Sequence, residues 1–588
     1  MKKLLHQSQV LITGVLFVVF MTVSCDLDKY PLDGPAVGSF PSNEEEAIMG
    51  LLGAYQSIST LDASSTPIWQ VMDNITDVGY ARPGNNYTSP ITSSLTTDNA
   101  LANKPWQYYY RTIARVHSVL DNLPNIQAEI QADQYNQIDA ELRFIRAYSY
   151  SQLIELYGNV PLLKQSVGLT DADVPRTDKK KIQEFIINEL DEVSEYLPLS
   201  HSQHGKSRAT RVAAFMLQAR VALYSQNYDL AVRASKKAIE LSEGVHELTS
   251  FNNSIDLSGQ KHDQGEPDVS NVFGHAGFSE SKEWIWIAEY SESTKNTHNK
   301  QYYAASRLGK GVCYWGPTQN FIDSFQAIDG LPIDKSSLYN ADKPFENRDP
   351  RLDLYCVRPH SRFMGYQFEP NKSFSTVANY WPVIEGSAQS PSQITNTDAT
   401  NAYRSFSGYL WRKHVDIADY PSTSVSGVSE LGVGIFRFAE LLLLYAEAKI
   451  ENNDIDESVY EAINKVRNRA HMPSLEGGLS QNELRAALRY ERKIELANDG
   501  LRWFDLRRWG IAKEVMNGYL YLNRAGNNWS ADVIVKIDEN STPIYNEEKA
   551  KDFFTTQEVV YQEGKDEYWP VPFSEMNANP NLEQNPGY

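Results

Sequence analysis

The stretch TRVAAFMLQARVALYSQNYDLAVRASKKAIEL, Thr210–Leu241, decides how the rest of the chain is read. Ala213, Leu217, Ala219, Ala222 and Leu223 recur at helical spacing; Gln226-Asn227-Tyr228 interrupts the run, and Ala231, Ala234, Ala238 and Ile239 resume it. Such periodicity predicts two helices folded back on each other, with alanines letting their axes approach closely. Phe438–Arg469 repeats the design: Ala219 falls on Ala446, Asn227 on Asp454, Asp229 on Asp456 and Val232 on Val459. A second copy is therefore expected, two unrelated hairpins being the alternative.

Helical patterns continue outward. Asn43 opens a helix with Ser42 as N-cap and Glu45 three residues on, and Ile48, Leu51, Leu52 and Tyr55 fall on one face. Further helices are predicted over Trp106–Leu123, Asp133–Leu156 and Lys179–Tyr196, and Gly158-Asn159-Val160-Pro161 ends the second of these. Residues 245–435 differ: short β-like runs such as Trp284-Ile285-Trp286-Ile287-Ala288 stand among the long polar loops Ser291–Gly316 and Ser373–Asn401. The hairpins resemble tetratricopeptide units. The expected fold is mainly α: a tetratricopeptide-like helix-pair scaffold with an inserted loop-rich, partly β subdomain that carries the ligand site, since binding residues gather on loops held by a rigid frame. The expected divisions are an N-terminal helical scaffold over 43–244 with a polar loop at 62–104, the loop-rich subdomain over 245–435, and a C-terminal scaffold and closing segment over 436–588.

The start of the chain carries an export signature. Lys2 and Lys3 precede a mostly apolar run from Val10 to Val23, and Thr22-Val23-Ser24 places small residues before Cys25. A lipoprotein signal peptide over 1–24, lipidation at Cys25 and a tether over 25–42 are expected, with a plain secretory peptide as the alternative. No later apolar run is long enough to span a bilayer. A net charge of −20 repels phosphate backbones and argues against nucleic acid as a partner. Cys313 and Cys356 are compatible with one disulfide or with two buried thiols. Tyrosine, at 34, exceeds phenylalanine, at 22, which favours amphipathic aromatic surfaces.

Five ordered blocks resemble the SusD/RagB family of surface nutrient-binding lipoproteins: Cys25-Asp26-Leu27-Asp28-Lys29-Tyr30-Pro31 at the mature start; Pro317-Thr318, Phe321–Phe325, Asp329-Gly330 and Asn347–Leu352 in the centre; Phe436–Leu441 running to Tyr445–Ala448; Glu491–Leu496 followed by Gly500–Gly510; and Pro570-Val571-Pro572, Glu575, Asn579–Leu582 and Gln584–Tyr588 at the end. Thr22 departs from the usual lipobox Leu, and Asn498-Asp499 from the family's aromatic and Glu, which puts local helix packing in question. The resemblance implies four tetratricopeptide-like helix pairs and a lipid anchor at the outer membrane with the protein exposed at the cell surface. It also implies an oligosaccharide ligand, or a peptide in some relatives, and a SusC/RagA-like TonB-dependent barrel as partner. It implies no catalysis.

Glu491 and Glu495 share a helix face, as paired glycosidase carboxylates would, yet Arg492, Arg502, Arg507 and Arg508 crowd the same segment. A structural charge network is the better reading, and it extends to Arg348, Asp349 and Arg351. No zinc, phosphate-loop or nucleophilic-serine motif is present, so no cofactor and no metal are expected; calcium stays open, without EF-hand spacing. The candidate binding site joins Asp73, Asn74, Asp77, Tyr80, Arg82, Asn85 and Tyr87 of the first polar loop to Tyr302, Tyr303, Tyr314 and Trp315 of the second. Aromatic planes for sugar ring faces, beside carboxylate, amide and guanidinium edges for hydroxyls, are what a glycan requires. A surface glycoside hydrolase and a ligand-free assembly scaffold are the competing functions.

Overall fold

The computed structural model describes residues 40–59, 68–82, 87–168, 171–202, 205–251, 267–381, 391–420, 425, 427–523 and 533–588. Cys25 and the signal segment lie outside them. Eight helices succeed one another, each packed on the next: α1 (Glu44–Ile58), α2 (Ala100–Leu120), α3 (Ala132–Tyr157), α4 (Lys179–Val193), α5 (Arg211–Tyr224), α6 (Tyr228–Leu241), α7 (Phe438–Glu451) and α8 (Glu457–Arg469). They form four pairs, and α6 packs directly on α7 although the inserted region lies between them in sequence. Ala219, Ala222, Ala231 and Ala234 share one apolar cluster with Leu444 and Ala448, so alanines of the first hairpin seat the second.

The two hairpins are copies in backbone detail. Gln226 (φ 61°) and Asn453 (φ 54°) occupy equivalent left-handed positions, and the next amides close equivalent turns, Asn227 N to Ala222 O at 2.8 Å and Asp454 N to Lys449 O at 2.9 Å. This is the Schellman way of satisfying the last carbonyls of a helix.

Several boundaries differ from the sequence expectation. Asn43, not Ser42, caps α1, its Oδ1 accepting from Glu46 N, while Glu46 accepts from Ser42 N at 2.8 Å. The buried seam of α1 is Ala47, Leu51, Ala54 and Ile58, leaving Ile48, Leu52 and Tyr55 at its flank. Helix α2 begins at Ala100, with Pro105 inside it and Asn99 accepting from Leu101 N at 2.8 Å. Pro105 is the sixth residue of the helix, so its ring fixes a helical φ at the cost of the bond an N–H there would give to the Leu101 carbonyl.

Between α6 and α7 the described chain holds short strands and helices. Strand β1 (Gly79–Ala81) comes from before the insertion and pairs antiparallel with β3 (Trp315–Pro317) inside it. Strands β2 (Trp284–Ala288) and β4 (Val433–Arg437) pair antiparallel where the chain leaves and re-enters the scaffold. Gly434 is required there, since a Cβ would come 1.8 Å from the Trp284 ring. A four-stranded antiparallel sheet runs in the order Ser392–Thr395, Thr376–Asn379, Tyr366–Gln367, Arg362–Phe363. Cys313 and Cys356 are both free and buried.

A buried ionic network ties insertion to scaffold. Helix α9 (Gln481–Glu495) places Glu491 and Glu495 on one face, both fully buried. Glu491 pairs with Arg351 and with Arg467 at 3.2 Å; Glu495 pairs with Arg437 at 2.7 Å, with Arg351 at 3.3 Å and with Arg469. Burial alone would raise the Glu495 carboxyl, but Arg469, Arg437 and Arg351 overcome it and hold it well below the usual range. Asp499 joins through Lys413 at 2.9 Å, His414 at 3.0 Å and Arg437 at 2.7 Å. Asn498, the family departure, sits left-handed at φ 65° just beyond the end of α9, a conformation Asn tolerates better than an aromatic. Arg348 is bonded to the carbonyls of Pro344, Ile322 and Phe325 rather than to a carboxylate.

Candidate functional site

Pairing of β1 with β3 brings the two polar loops together. The register sets Gly79 opposite Pro317, Tyr80 opposite Gly316 and Ala81 opposite Trp315, and Arg82 N extends it by donating to Tyr314 O at 2.9 Å. The second loop then closes on itself: Val312 N donates to Tyr302 O at 3.0 Å and Tyr314 N to Tyr303 O at 2.7 Å. The result is a continuous aromatic cluster. Ring centroids of Tyr303 and Tyr314 are 5.1 Å apart, those of Tyr302 and Tyr303 5.7 Å, and those of Tyr314 and Trp315 5.4 Å, all edge-to-face. Tyr87 closes it from behind, 4.8 Å from Trp315.

Burial divides the cluster. Tyr302, Tyr303 and Tyr314 are half-buried; Trp315 and Tyr87 are buried and pack against their rings, and Tyr80 is buried. At the rim the Arg82 guanidinium lies between the rings of Tyr403 at 4.6 Å and Phe406 at 4.7 Å, and donates to Ala402 O at 2.6 Å. Tyr403 is 51 % exposed and also faces Arg307, at 5.9 Å. The sequence reading missed Tyr403, Phe406 and Arg307; Tyr403 stands just past the polar stretch Ser373–Asn401, with no pattern setting it apart. Asp398 anchors the Arg307 turn by accepting from the Arg307 and Leu308 amides at 2.6 and 3.3 Å, and burial pushes its carboxyl up to about 7.

The polar edges expected from the first loop are not at the surface. Asp73 is fully buried and accepts from the amides of Gly500 and Arg502, both at 2.9 Å. Asn74, 2 % exposed, accepts from Trp411 Nε1 at 2.9 Å. Asp77, 1 % exposed, takes a two-pronged contact from Arg502 at 2.8 and 3.0 Å and an ion pair from Lys493 at 3.0 Å. Asp73 and Asp77 lock the short helix Ile68–Asp73 and its following turn to α10 (Arg502–Arg508), and Asn74 ties that turn to Trp411, framework roles that leave no edge for a sugar. Trp315 is likewise a support and not a contact surface. Asn85 lies outside the described residues. Of the expected set, Arg82, Tyr302, Tyr303 and Tyr314 are the members that reach a common surface.

Glu491 and Glu495 are sealed in the ionic network, so this carboxylate pair is closed to a substrate. Among the described residues no group of His, Cys, Asp and Glu is placed to hold a metal ion, and no helix is long and apolar enough to cross a membrane.

The family model described as "SusD family" matches residues 282–588, more than half of the chain. The chain belongs to the SusD family. A second model, described as "Starch-binding associating with outer membrane", matches residues 50–223 of this SusD-family chain. Among curated relatives, SusD-like protein P25 of Formosa agariphila is 23 % identical over 544 residues, covering 86 % of this chain and 91 % of that one. A SusD-like protein of Bacteroides ovatus is 21 % identical over 557 residues, covering 90 % and 91 %. Among solved structures, a SusD-like carbohydrate binding protein from Bacteroides fragilis aligns with a TM-score of 0.73 at 24 % identity, over 93 % of this chain and 100 % of that one. A laminarin binding SusD-like protein aligns with a TM-score of 0.60 at 18 % identity, over 93 % and 100 %. At these identities the structural likenesses establish the fold.

Proposed function

We propose that this SusD-family chain is a cell-surface lipoprotein, anchored through Cys25 in the outer membrane, that captures oligosaccharides on the tyrosine platform. It passes them to a SusC/RagA-like TonB-dependent barrel and does no chemistry on them. The observation that carries the reading is the convergence of Tyr302, Tyr303 and Tyr314, half-exposed, beside the Arg82–Tyr403 stack at the rim. Pyranose C–H faces dock on such rings while guanidinium and phenol edges meet hydroxyls. The carbohydrate-binding and laminarin-binding relatives named above support the ligand class, and the second family model's description supports the outer-membrane location.

Calorimetry on the full chain against neutral oligosaccharide and peptide panels tests this. Binding of an oligosaccharide that falls at least tenfold in Tyr303→Ala and in Tyr314→Ala is expected, about 1.4 kcal/mol or more each. Unchanged affinity in both variants, or release of shorter sugars from the ligand, contradicts the reading.

A further inference from the structure

Away from the platform, α3, α5, α7, α9 and α10 enclose a cavity of about 390 Å³. Its carboxylates already have partners. Glu155 pairs with Lys179 at 2.9 Å, Glu451 takes two bonds from Arg485 at 2.7 and 2.8 Å, and Glu447 holds Arg508 together with Trp509 Nε1 at 2.7 Å. Glu567 accepts from Gly564 N at 2.9 Å. Two guanidinium groups on the wall make no contact ion pair among the described residues; Glu447 and Glu451 act on Arg489, and Asp566 and Glu567 on Arg507, from farther away. Arg489 lies over the Trp509 ring at 4.9 Å with its Nε buried and unbonded. Arg507 lies over Trp503 at 3.4 Å and donates to two backbone carbonyls, those of Asp566 at 3.0 Å and Trp503 at 3.1 Å.

Burial lowers both groups, Arg507 to about 10, the direction expected of a cation desolvated without full compensation. Two stacked guanidinium groups whose nearest carboxylates stay out of contact are costly beside a cavity, and an incoming oxyanion in direct contact reduces that cost. The stacking fixes their planes, and Arg507 Nη2 and the terminal nitrogens of Arg489 are left to donate to a carboxylate or sulfate. The volume is at the small end of ligand pockets and suits one sugar residue rather than a run of them.

We infer that this cavity is a second binding site, selective for a sugar residue that carries an oxyanion, a uronate or a sulfate ester, held by Arg489 and Arg507. That the oxyanion rides on a sugar rests on the glycan reading above; the anion selectivity does not. The cavity lining includes neither platform tyrosine nor Arg82, so the two readings fail separately.

The test is calorimetry at low salt on the full chain with sodium glucuronate, glucose 6-sulfate, glucose and sodium sulfate. Arg489→Gln is the main variant, because Arg489 makes no bond the fold would lose, and Tyr314→Ala is the control. At least one charged sugar binds more tightly than both glucose and sulfate, weakens at least about tenfold in Arg489→Gln, and is unaffected by Tyr314→Ala. Equal heats for glucose and the charged sugars, or unchanged affinity in Arg489→Gln, overturn the site. Sulfate binding as tightly as glucose 6-sulfate overturns the sugar part. Loss of neutral-oligosaccharide binding in Tyr314→Ala alongside any of these would strike this site and leave the platform standing.

Discussion

Tyr314 and Trp315 are neighbours in sequence with different environments: a strand start turns one ring to the surface and the next into the core. Tyr314→Ala removes a contact surface and should cost ligand affinity with little change in melting temperature. Trp315→Ala empties a core position and should cost roughly 3–5 kcal/mol of stability, seen as an earlier denaturant midpoint. The reverse pattern would exchange their roles. The sequence placed both in the right loop, but period-two alternation over so short a strand could not say which ring faces out. Nor could it show that Asp73, Asn74 and Asp77 turn inward, because their partners Gly500, Arg502, Lys493 and Trp411 lie hundreds of residues away. Asp398 supplies a pH handle on the platform. Its carboxyl, raised from 3.8 to about 7 by burial, binds a proton more tightly folded than unfolded. The stability it contributes is fully present below pH 4 and is lost as pH rises toward 7, up to about 4 kcal/mol. Unfolding curves of Asp398→Asn across pH 4 to 7 should lack this fall; profiles parallel to the wild type would contradict the assignment.

Helix pairs were the most legible elements, because alanines at helical spacing leave a pattern that side-chain identity alone carries. The second copy was visible for the same reason, down to equivalent turn positions. Caps and starts were not: Ser42 and Asn43 both qualify as N-caps, and only the Asn43 contact to Glu46 N settles which acts. The turn itself makes a prediction. Gln226 holds φ 61° with a full side chain, whereas the equivalent Asn453 is a residue suited to that region. Gln226→Gly should stabilise by several tenths to about 1 kcal/mol, and Asn453→Gly should be near neutral. Thermal melts of the two variants decide it, and destabilisation by Gln226→Gly would contradict the strain.

At the scale of the whole molecule, the insertion and the scaffold are held as one body by strand pairs β1–β3 and β2–β4 and by the network around Glu495. Glu495→Gln would leave Arg437, Arg469 and Arg351 with one carboxylate too few in a sealed interior, and should cost roughly 3–5 kcal/mol by chemical denaturation. A change below 1 kcal/mol would show the network to be dispensable. The constituents, arginines and glutamates crowded around α9, were legible in the sequence, but which pairs form was not, since Arg351 and Arg437 arrive from elsewhere. The platform is completed by this assembly: β1 belongs to the segment before α2 and β3 to the insertion, and their pairing brings Arg82 of the first loop to the three tyrosines of the second. The most direct measurement is therefore a crystal structure of the full chain with a retained oligosaccharide. The account predicts a pyranose ring stacked over Tyr303 and Tyr314 with a hydroxyl toward Arg82. A saccharide bound elsewhere, with those rings bare, would contradict it.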